Sequence, residues 1–215
     1  MRKIALIVAG GKGERMNSSV PKQFLLLHGT PILMHTLKQF SHFEEIVLVL
    51  PPFQFEYWKE LCVTYNFTQK YTLVSGGETR FHSVKNGLVS IADNTIVAIH
   101  DGVRPLISTT LIDNLIAESK SGIGVIPIVP VKDSYRRVDR GESIQIDRDK
   151  LFKVQTPQCF WSADIKEAYN QDYSSIFTDD ASVFESHGGK INTVLGEEKN
   201  LKITTEEDLK IVGIL

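Results

Sequence analysis

Cysteine is scarce in this chain: Cys62 and Cys159 are the only two in 215 residues. They lie far apart, and neither has a metal-type neighbour. A disulfide framework and a paired-cysteine metal site are therefore excluded, and the expectation is a reduced, cytoplasmic chain with both thiols packed as small apolar groups. Long apolar runs are missing too, since nothing approaches the roughly 20 residues that a membrane helix needs. No membrane partner is expected. Met1-Arg-Lys-Ile4 leads straight into a strand pattern and leaves no room for a signal peptide. Neither sign of charge is in excess, with 24 Lys and Arg against 26 Asp and Glu and a formal net charge of −2. That balance argues against a general nucleic-acid binder while permitting a local basic pocket. Internal repeats, low-complexity tracts and linkers are absent as well.

Two common nucleotide-binding signatures are also missing. A P-loop needs G-x-x-x-x-G-K-[ST], and no glycine stands before Lys-Ser or Lys-Thr at that spacing. The dinucleotide pattern G-x-G-x-x-G/A starts at Gly11 and Gly13, but Met16 occupies its third place. Nor does an acidic residue follow a clear second strand at the expected distance. What is present is an apolar run from Ile4 to Ala9, too short for a helix and bounded by turn signals, which reads as a buried strand. Gly10, Gly11 and Gly13 follow, then the cations Arg15 and Lys22. Glycines after a buried strand let consecutive backbone N–H groups converge on phosphate. Arg adds a planar fork for phosphate oxygens and Lys a mobile charge. A tight turn with surface charges would read the same way locally.

Hydrophobic residues make up 42% and charged residues 23%, enough for an ordinary core, and the length fits one domain spanning 1–215. Further on, His28-Gly-Thr-Pro31 is a turn, and Pro31 suits the start of a helix that runs to Phe40. Ile46–Leu50 is a second buried strand ended by Pro51-Pro52. Phe53 to Tyr65 reads as a helix with Phe55, Trp58, Leu61 and Cys62 on one side. Thr72–Val74 is a short strand. Gly76-Gly-Glu-Thr-Arg80 then repeats strand, glycines and cation before another helix. Ser83 near its start would face a ligand, cap the helix or meet solvent.

Thr95–Ile99 is a fourth buried strand, with His100-Asp-Gly-Val-Arg-Pro105 at its carboxyl end. Ligands of open α/β sheets bind outside such ends. Asp101 there would suit a divalent cation together with phosphate oxygens, or would cap a turn while paired with Arg104. His100 reads as a core histidine bonded to a neighbour rather than as a base. Leu111–Ser119 is a helix, and Ile123–Pro130 a strand in which Pro127 suggests an edge or a bulge.

From 131 to 150 the pattern alternates polar and apolar around a turn at Asp139-Arg-Gly141, the signature of a β-hairpin. A two-stranded hairpin is marginal alone in water, so it needs a surface to pack on, and a second subunit is the natural candidate. A surface loop is the alternative. Helices follow near Ser162–Asn170, after Phe177 and over Glu206–Ile214, with Thr178 and Thr205 as N-caps and a strand at Ile191–Leu195 between them. Strands alternating with helices predict an α/β fold: a Rossmann-like three-layer sandwich with a mostly parallel twisted sheet, plus a protruding hairpin arm.

With these residues in place, the chain resembles the 2-C-methyl-D-erythritol 4-phosphate cytidylyltransferases of the non-mevalonate isoprenoid pathway, along essentially its whole length. The motifs are Ala9-Gly-Gly-Lys-Gly-Glu-Arg-Met16, Pro21-Lys-Gln-Phe24, Gly76-Gly-Glu-Thr-Arg80 with Ser83, His100-Asp-Gly-Val-Arg-Pro105, Pro130-Val-Lys-Asp-Ser134, Asp147-Arg148, Gln155-Thr-Pro-Gln158, Thr178-Asp-Asp-Ala-Ser182 and Asn200-Leu-Lys202. The resemblance implies a nucleotidyltransferase that joins CTP to the methylerythritol phosphate and releases pyrophosphate, with Mg²⁺. It implies that Arg15 and Lys22 stabilise the transition state. Ala9, Gly10, Gly11 and Gly13 would wrap the triphosphate, and Gly77, Arg80 and Ser83 would take the nucleotide. Asp101 would hold the metal. Arg104, Ser134, Arg148, Thr156, Thr178 and Lys202 would take the polyol phosphate with Asp101. Ser134 stands where threonine is common in the family. The hairpin resembles a dimerisation arm that lends residues to the partner's site, which implies a homodimer.

Three rivals remain. A ribitol-5-phosphate cytidylyltransferase shares the chemistry, but the segments around Ser134, Arg148 and Thr178 resemble the methylerythritol enzymes more closely. A non-catalytic sugar-nucleotide module would have lost Arg15, Lys22 or Asp101. A nicotinamide-dependent enzyme is disfavoured by the missing third glycine and acidic residue.

Overall fold

The opening apolar run becomes β1 (Lys3–Val8), the strand about which the sheet is built. A computed structural model describes residues 2–10 and 20–215. After β1 come a two-strand ribbon, β2 (Leu26–Leu27) with β3 (Thr30–Pro31), then α1 (Ile32–Gln39) and β4 (Glu45–Leu50). Next are α2 (Phe55–Thr64), β5 (Thr72–Ser75), α3 (Arg80–Val89), β6 (Ile96–Asp101) and α4 (Thr109–Glu118). β7 (Ile123–Pro130) precedes the hairpin β8 (Tyr135–Asp139) and β9 (Glu142–Ile146). The chain ends through β10 (Phe152–Val154), β11 (Gln158–Trp161), α5 (Ser162–Ala168), α6 (Asp180–Ser186), β12 (Lys190–Leu195) and α7 (Glu206–Val212).

The main sheet runs β10-β7-β11-β6-β1-β4-β5, with β12 also paired to β7. β1 pairs in parallel with both β4 and β6, and β4 with β5. β10 and β11 run antiparallel, so the sheet is mixed but mainly parallel. Continuous apolar runs, rather than alternating ones, fit strands that are covered on both faces. Ala5 and Ile7 of β1 join Leu48, Ala98, Leu37, Trp58 and Leu115 in one core layer. Ile4 and Leu6 join Val47, Val97, Val84, Phe160 and Phe184 in the other. A smaller cluster of Leu27, Ile32, Val103, Ile203 and Val212 seats α7 on the β2–β3 ribbon.

Several expectations need correction. β7 is no edge strand, because it is paired on both sides; its antiparallel pairing is interrupted between Val154 and Cys159, and Gln155 N–H donates to the Pro127 carbonyl there at 2.9 Å. The cap of α6 is Asp179, not Thr178: the Asp179 carboxylate accepts from Ser182 N–H, and the Ser182 hydroxyl faces back to the cap in a capping box. Thr205 does cap α7, again through a capping box, with Asp208. The hairpin turns at Arg140 (φ 47°) and Gly141 (φ 86°), the two left-handed residues that match a tight turn to strand twist. Among the described residues its strands pair only with each other, and nearly all of its residues are exposed. No helix among the described residues is long and apolar enough to cross a membrane.

Candidate active site

The parallel register brings chemistry-bearing residues to one rim. Val8 at the end of β1 lies beside Asp101 at the end of β6 and beside Val49 of β4, and Leu50 lies beside Ser75 of β5. Gly10, Gly77 and Asp101 therefore emerge together at the carboxyl ends of the strands. They line a cavity of about 610 Å³ with Lys22, Ser83 and Lys202. A second cavity of about 250 Å³, lined among others by Arg104, Thr156 and Thr178, shares Arg80, Asp101 and Lys202 with the first. The two chambers thus have a common wall.

In the larger chamber Ser83 does not cap its helix. Thr79 caps α3, and the buried Ser83 hydroxyl accepts from Gly77 N–H at 3.0 Å. Gly77 is a close approach: a Cβ there would lie 2.4 Å from His82 Cβ and 3.0 Å from its carbonyl carbon. Gln23, whose role the sequence did not single out, ties the segment after the glycine loop to the rim. Its amide nitrogen donates to the Ala9 carbonyl (2.8 Å) and to Gln54 Oε1 (2.7 Å), which holds the neighbouring Lys22 at the cavity.

Asp101 is the electrostatic centre. Its Oδ2 is 3.1 Å from Lys202 Nζ and accepts from Arg104 Nε at 3.2 Å, while Arg80 Nε lies 3.7 Å from Oδ1. Burial pushes this carboxyl up, but Lys202, Arg80 and Arg104 outweigh it and hold it well below the usual carboxylate range. Among the described residues no cluster of three or more His, Cys, Asp or Glu side chains suited to a metal occurs. A lone carboxylate nonetheless fits Mg²⁺, which is commonly held by one or two carboxylates plus substrate phosphates and water.

Arg80 is engaged elsewhere than expected. Its two Nη groups make a bidentate pair with Asp180 at 2.8 and 2.6 Å, and Asp180, 0% exposed, also accepts from the Tyr169 hydroxyl at 2.6 Å. Only its Nε edge is left toward Asp101. The pair joins α3, which follows the Gly76–Thr79 turn, to the first turn of α6, beside Thr178. Gln158 of β11 locks the same turn, accepting from Ala181 N–H (2.8 Å) and donating to the Asp179 carboxylate (2.9 Å). Free of capping duty, Thr178 is left to line the smaller chamber.

Thr156 is set by a buried relay. His100 Nε2 lies 3.1 Å from the Arg104 carbonyl, which can only accept, so Nε2 carries the proton. Nδ1 then accepts from the Thr156 hydroxyl at 3.0 Å, while Thr156 Oγ1 accepts from Asp101 N–H at 3.1 Å. Burial lowers the His100 pKa to about 4 and keeps the ring neutral near pH 7. His100 is the bonded core histidine the sequence suggested. Asn200 completes the wall, donating to the Thr156 carbonyl (2.9 Å) while its own carbonyl accepts from Arg104 Nη1 (2.9 Å), and Lys202 follows two residues on. His100 and Asn200 open two of the motifs read in the sequence, but nothing in the sequence tied either of them to Thr156.

Not every expected residue joins this site. Ser134 and Arg148 are exposed and line neither chamber of their own chain; the Arg148 guanidinium donates to the Lys132 carbonyl. Arg15, Gly11 and Gly13 lie outside the described residues. Cys62 and Cys159 are free, and burial raises both thiols.

A mainly parallel sheet with glycine turns, cations and a buried carboxylate along its carboxyl rim defines a Rossmann-like α/β protein of the nucleotidyltransferase type. Comparison with known proteins narrows that class. The model of the 2-C-methyl-D-erythritol 4-phosphate cytidylyltransferase family matches residues 3–214, and the chain belongs to that family. It is 46% identical to the enzyme of that name from Porphyromonas gingivalis, over 100% of this chain and 97% of the relative. It is also 46% identical to the one from Bacteroides fragilis, over 100% of both. The crystal structure of the Francisella tularensis 2-C-methyl-D-erythritol 4-phosphate cytidylyltransferase superposes with a TM-score of 0.82 at 29% identity, covering 100% of this chain and 99% of that one.

Proposed function

We propose that this chain transfers the cytidylyl group of CTP to 2-C-methyl-D-erythritol 4-phosphate, giving 4-diphosphocytidyl-2-C-methyl-D-erythritol and pyrophosphate for isoprenoid synthesis. The observation that carries the reading is the common wall of the two chambers, in which Asp101 and Lys202 face both. CTP occupies the larger chamber, with its base at Gly77 and Ser83 and its triphosphate at Ala9, Gly10 and the glycine loop. The polyol phosphate occupies the smaller one, against Arg104, Thr156, Thr178 and Lys202.

A phosphate oxygen of the polyol ester attacks the α-phosphorus of CTP. The new P–O bond forms as the bond to the β-phosphate bridging oxygen breaks, and pyrophosphate leaves with that electron pair. A phosphate ester is already nucleophilic, so no strong base is needed. Holding anions together and stabilising charge at phosphorus carry the rate. Lys22, with Arg15, serves the α-phosphate. Lys202 and Arg104 hold the attacking phosphate and also keep Asp101 ionised. Arg80, with its Nη pair taken by Asp180, positions Asp101 rather than forking a phosphate. Asp101 is the group suited to a divalent cation, which when bound neutralises charge on the triphosphate.

Thr156 donates its proton to His100, so it can only accept from a ligand. A polyol hydroxyl suits it and an acceptor-only phosphate oxygen does not. The exposed apolar side chains Tyr135, Val138 and Ile144 support residues 131–150 as a dimerisation arm. In such a homodimer Ser134 and Arg148 serve the partner's smaller chamber. The test is ³¹P spectroscopy of the product from CTP, Mg²⁺ and the methylerythritol phosphate. The expected product shows two coupled diphosphate phosphorus signals, and an uncoupled monoester spectrum would overturn the reading.

A further inference from the structure

One group on the wall of the larger chamber has no part in the chemistry above. Phe53 lines that cavity and is 78% exposed. Its ring touches no other ring among the described residues, whereas Phe24, Tyr57, Trp58, Phe67 and Tyr71 close by pack on one another. Packing within the chain therefore does not explain its place. Nor does a loose loop. Pro51 and Pro52 fix the start of the turn, and Gln54 N–H donates to the Pro51 carbonyl at 2.9 Å. The Gln54 side chain is buried and held by Gln23 at 2.7 Å. An exposed ring is thus presented on a rigid turn at the mouth of a cavity.

The turn also fixes which end of the cavity the ring borders. A Cβ on Gly10 would meet Ser83 Oγ at 3.8 Å and the Pro51 ring at 4.0 Å, so Gly10, Ser83 and Pro51 share one corner. Ser83 in turn accepts from Gly77 N–H. Phe53 stands two residues from Pro51, which places it beside this uncharged corner.

We infer that Phe53 stacks on the base of the bound nucleotide and supplies affinity for the nucleoside half of CTP. This rests on the cytidylyltransferase reading above. An aromatic face stacks on any base, so Phe53 adds affinity without choosing among pyrimidines. The stack is the same before and during phosphoryl transfer, so it lowers KM and leaves kcat alone.

The test uses the full chain, because an exposed side chain can be replaced without opening the core. Phe53→Ala should raise KM for CTP roughly 5- to 150-fold, the range for losing one base–aromatic stack. It should leave kcat and the KM for the polyol phosphate within twofold, and Phe53→Tyr should keep the parent KM. Inhibition by inorganic tripolyphosphate, which has no base, should not change. A shift in KM for CTP below twofold, an equal weakening of tripolyphosphate, or a changed preference between CTP and UTP would overturn the inference. Calorimetric CTP binding to the parent and to Phe53→Ala reads the same contact without turnover. A parent that binds CTP but releases no pyrophosphate would therefore sink the cytidylyltransferase reading while still testing Phe53.

Discussion

Replacing Asp180 with alanine should cost more stability than any other single change at the rim. The carboxylate is 0% exposed and accepts from Arg80 Nη1 at 2.8 Å, Arg80 Nη2 at 2.6 Å and Tyr169 Oη at 2.6 Å. Alanine leaves the Arg80 charge without its partner and a buried tyrosine hydroxyl without an acceptor. Removing one member of a buried ion pair typically costs about 3–5 kcal/mol. The Arg80 side chain keeps 28% of its exposure, so water recovers part of that and the low end, about 3 kcal/mol, is expected. For a domain of this size each kcal/mol moves Tm by roughly 2–4 °C, which gives a drop of roughly 6–12 °C. Urea denaturation followed by circular dichroism measures the loss. Asp180→Asn keeps the shape and should lose less. Arg80→Met combined with Asp180→Leu should lose less than the two single changes added together, since no unpaired charge is left. A loss under about 1 kcal/mol for Asp180→Ala, or strict additivity in the double variant, would refute the assignment of the Arg80 guanidinium to this pair.

Other changes separate the roles within the site. Lys22→Ala should lower kcat on the order of 10²–10³-fold while CTP binding weakens much less, as for loss of one preorganised donor; an unchanged turnover would contradict its role. Gly77→Ala places a Cβ 2.4 Å from His82 Cβ and 3.0 Å from backbone, so the turn must shift. Its KM for CTP should rise at least tenfold, and parent-like kinetics would show that the base does not sit there. Arg148→Ala and Arg15→Ala subunits, each weak alone, should recover activity in mixed dimers, because one composite site is then intact. No recovery would mean that the hairpin serves its own chain.

Much of the fold was legible because parallel strands leave a strong trace. Ile4–Ala9, Ile46–Leu50 and Thr95–Ile99 are short apolar runs with turn signals, and each became a central strand buried on both faces. Less legible were β10 and β11, whose mixed residues around Gln155 and Thr156 lack an apolar run; their strand state comes from pairing with β7 and β6. The α6 boundary was misread by one residue because Thr178, Asp179 and Asp180 are all acceptable caps. Tertiary bonds decide it: Asp180 is taken by Arg80, and Asp179 takes Ser182. In the site, Gly77, Ser83, Asp101, Thr156, Thr178 and Lys202 were legible as motif residues. Their supports His100, Gln158, Asp180 and Asn200 stand in the same motifs, but their partners were not legible, because buried hydrogen bonds are fixed by contacts distant in sequence, such as the Arg80–Asp180 pair.

The central claim is that the two chambers bring CTP and one particular polyol phosphate together. Pyrophosphate release with CTP and Mg²⁺, compared between 2-C-methyl-D-erythritol 4-phosphate and ribitol 5-phosphate, tests it most directly. Release with the methylerythritol ester and none above background with the ribitol ester is the predicted result. Release with ribitol 5-phosphate alone, or with neither, would contradict the account.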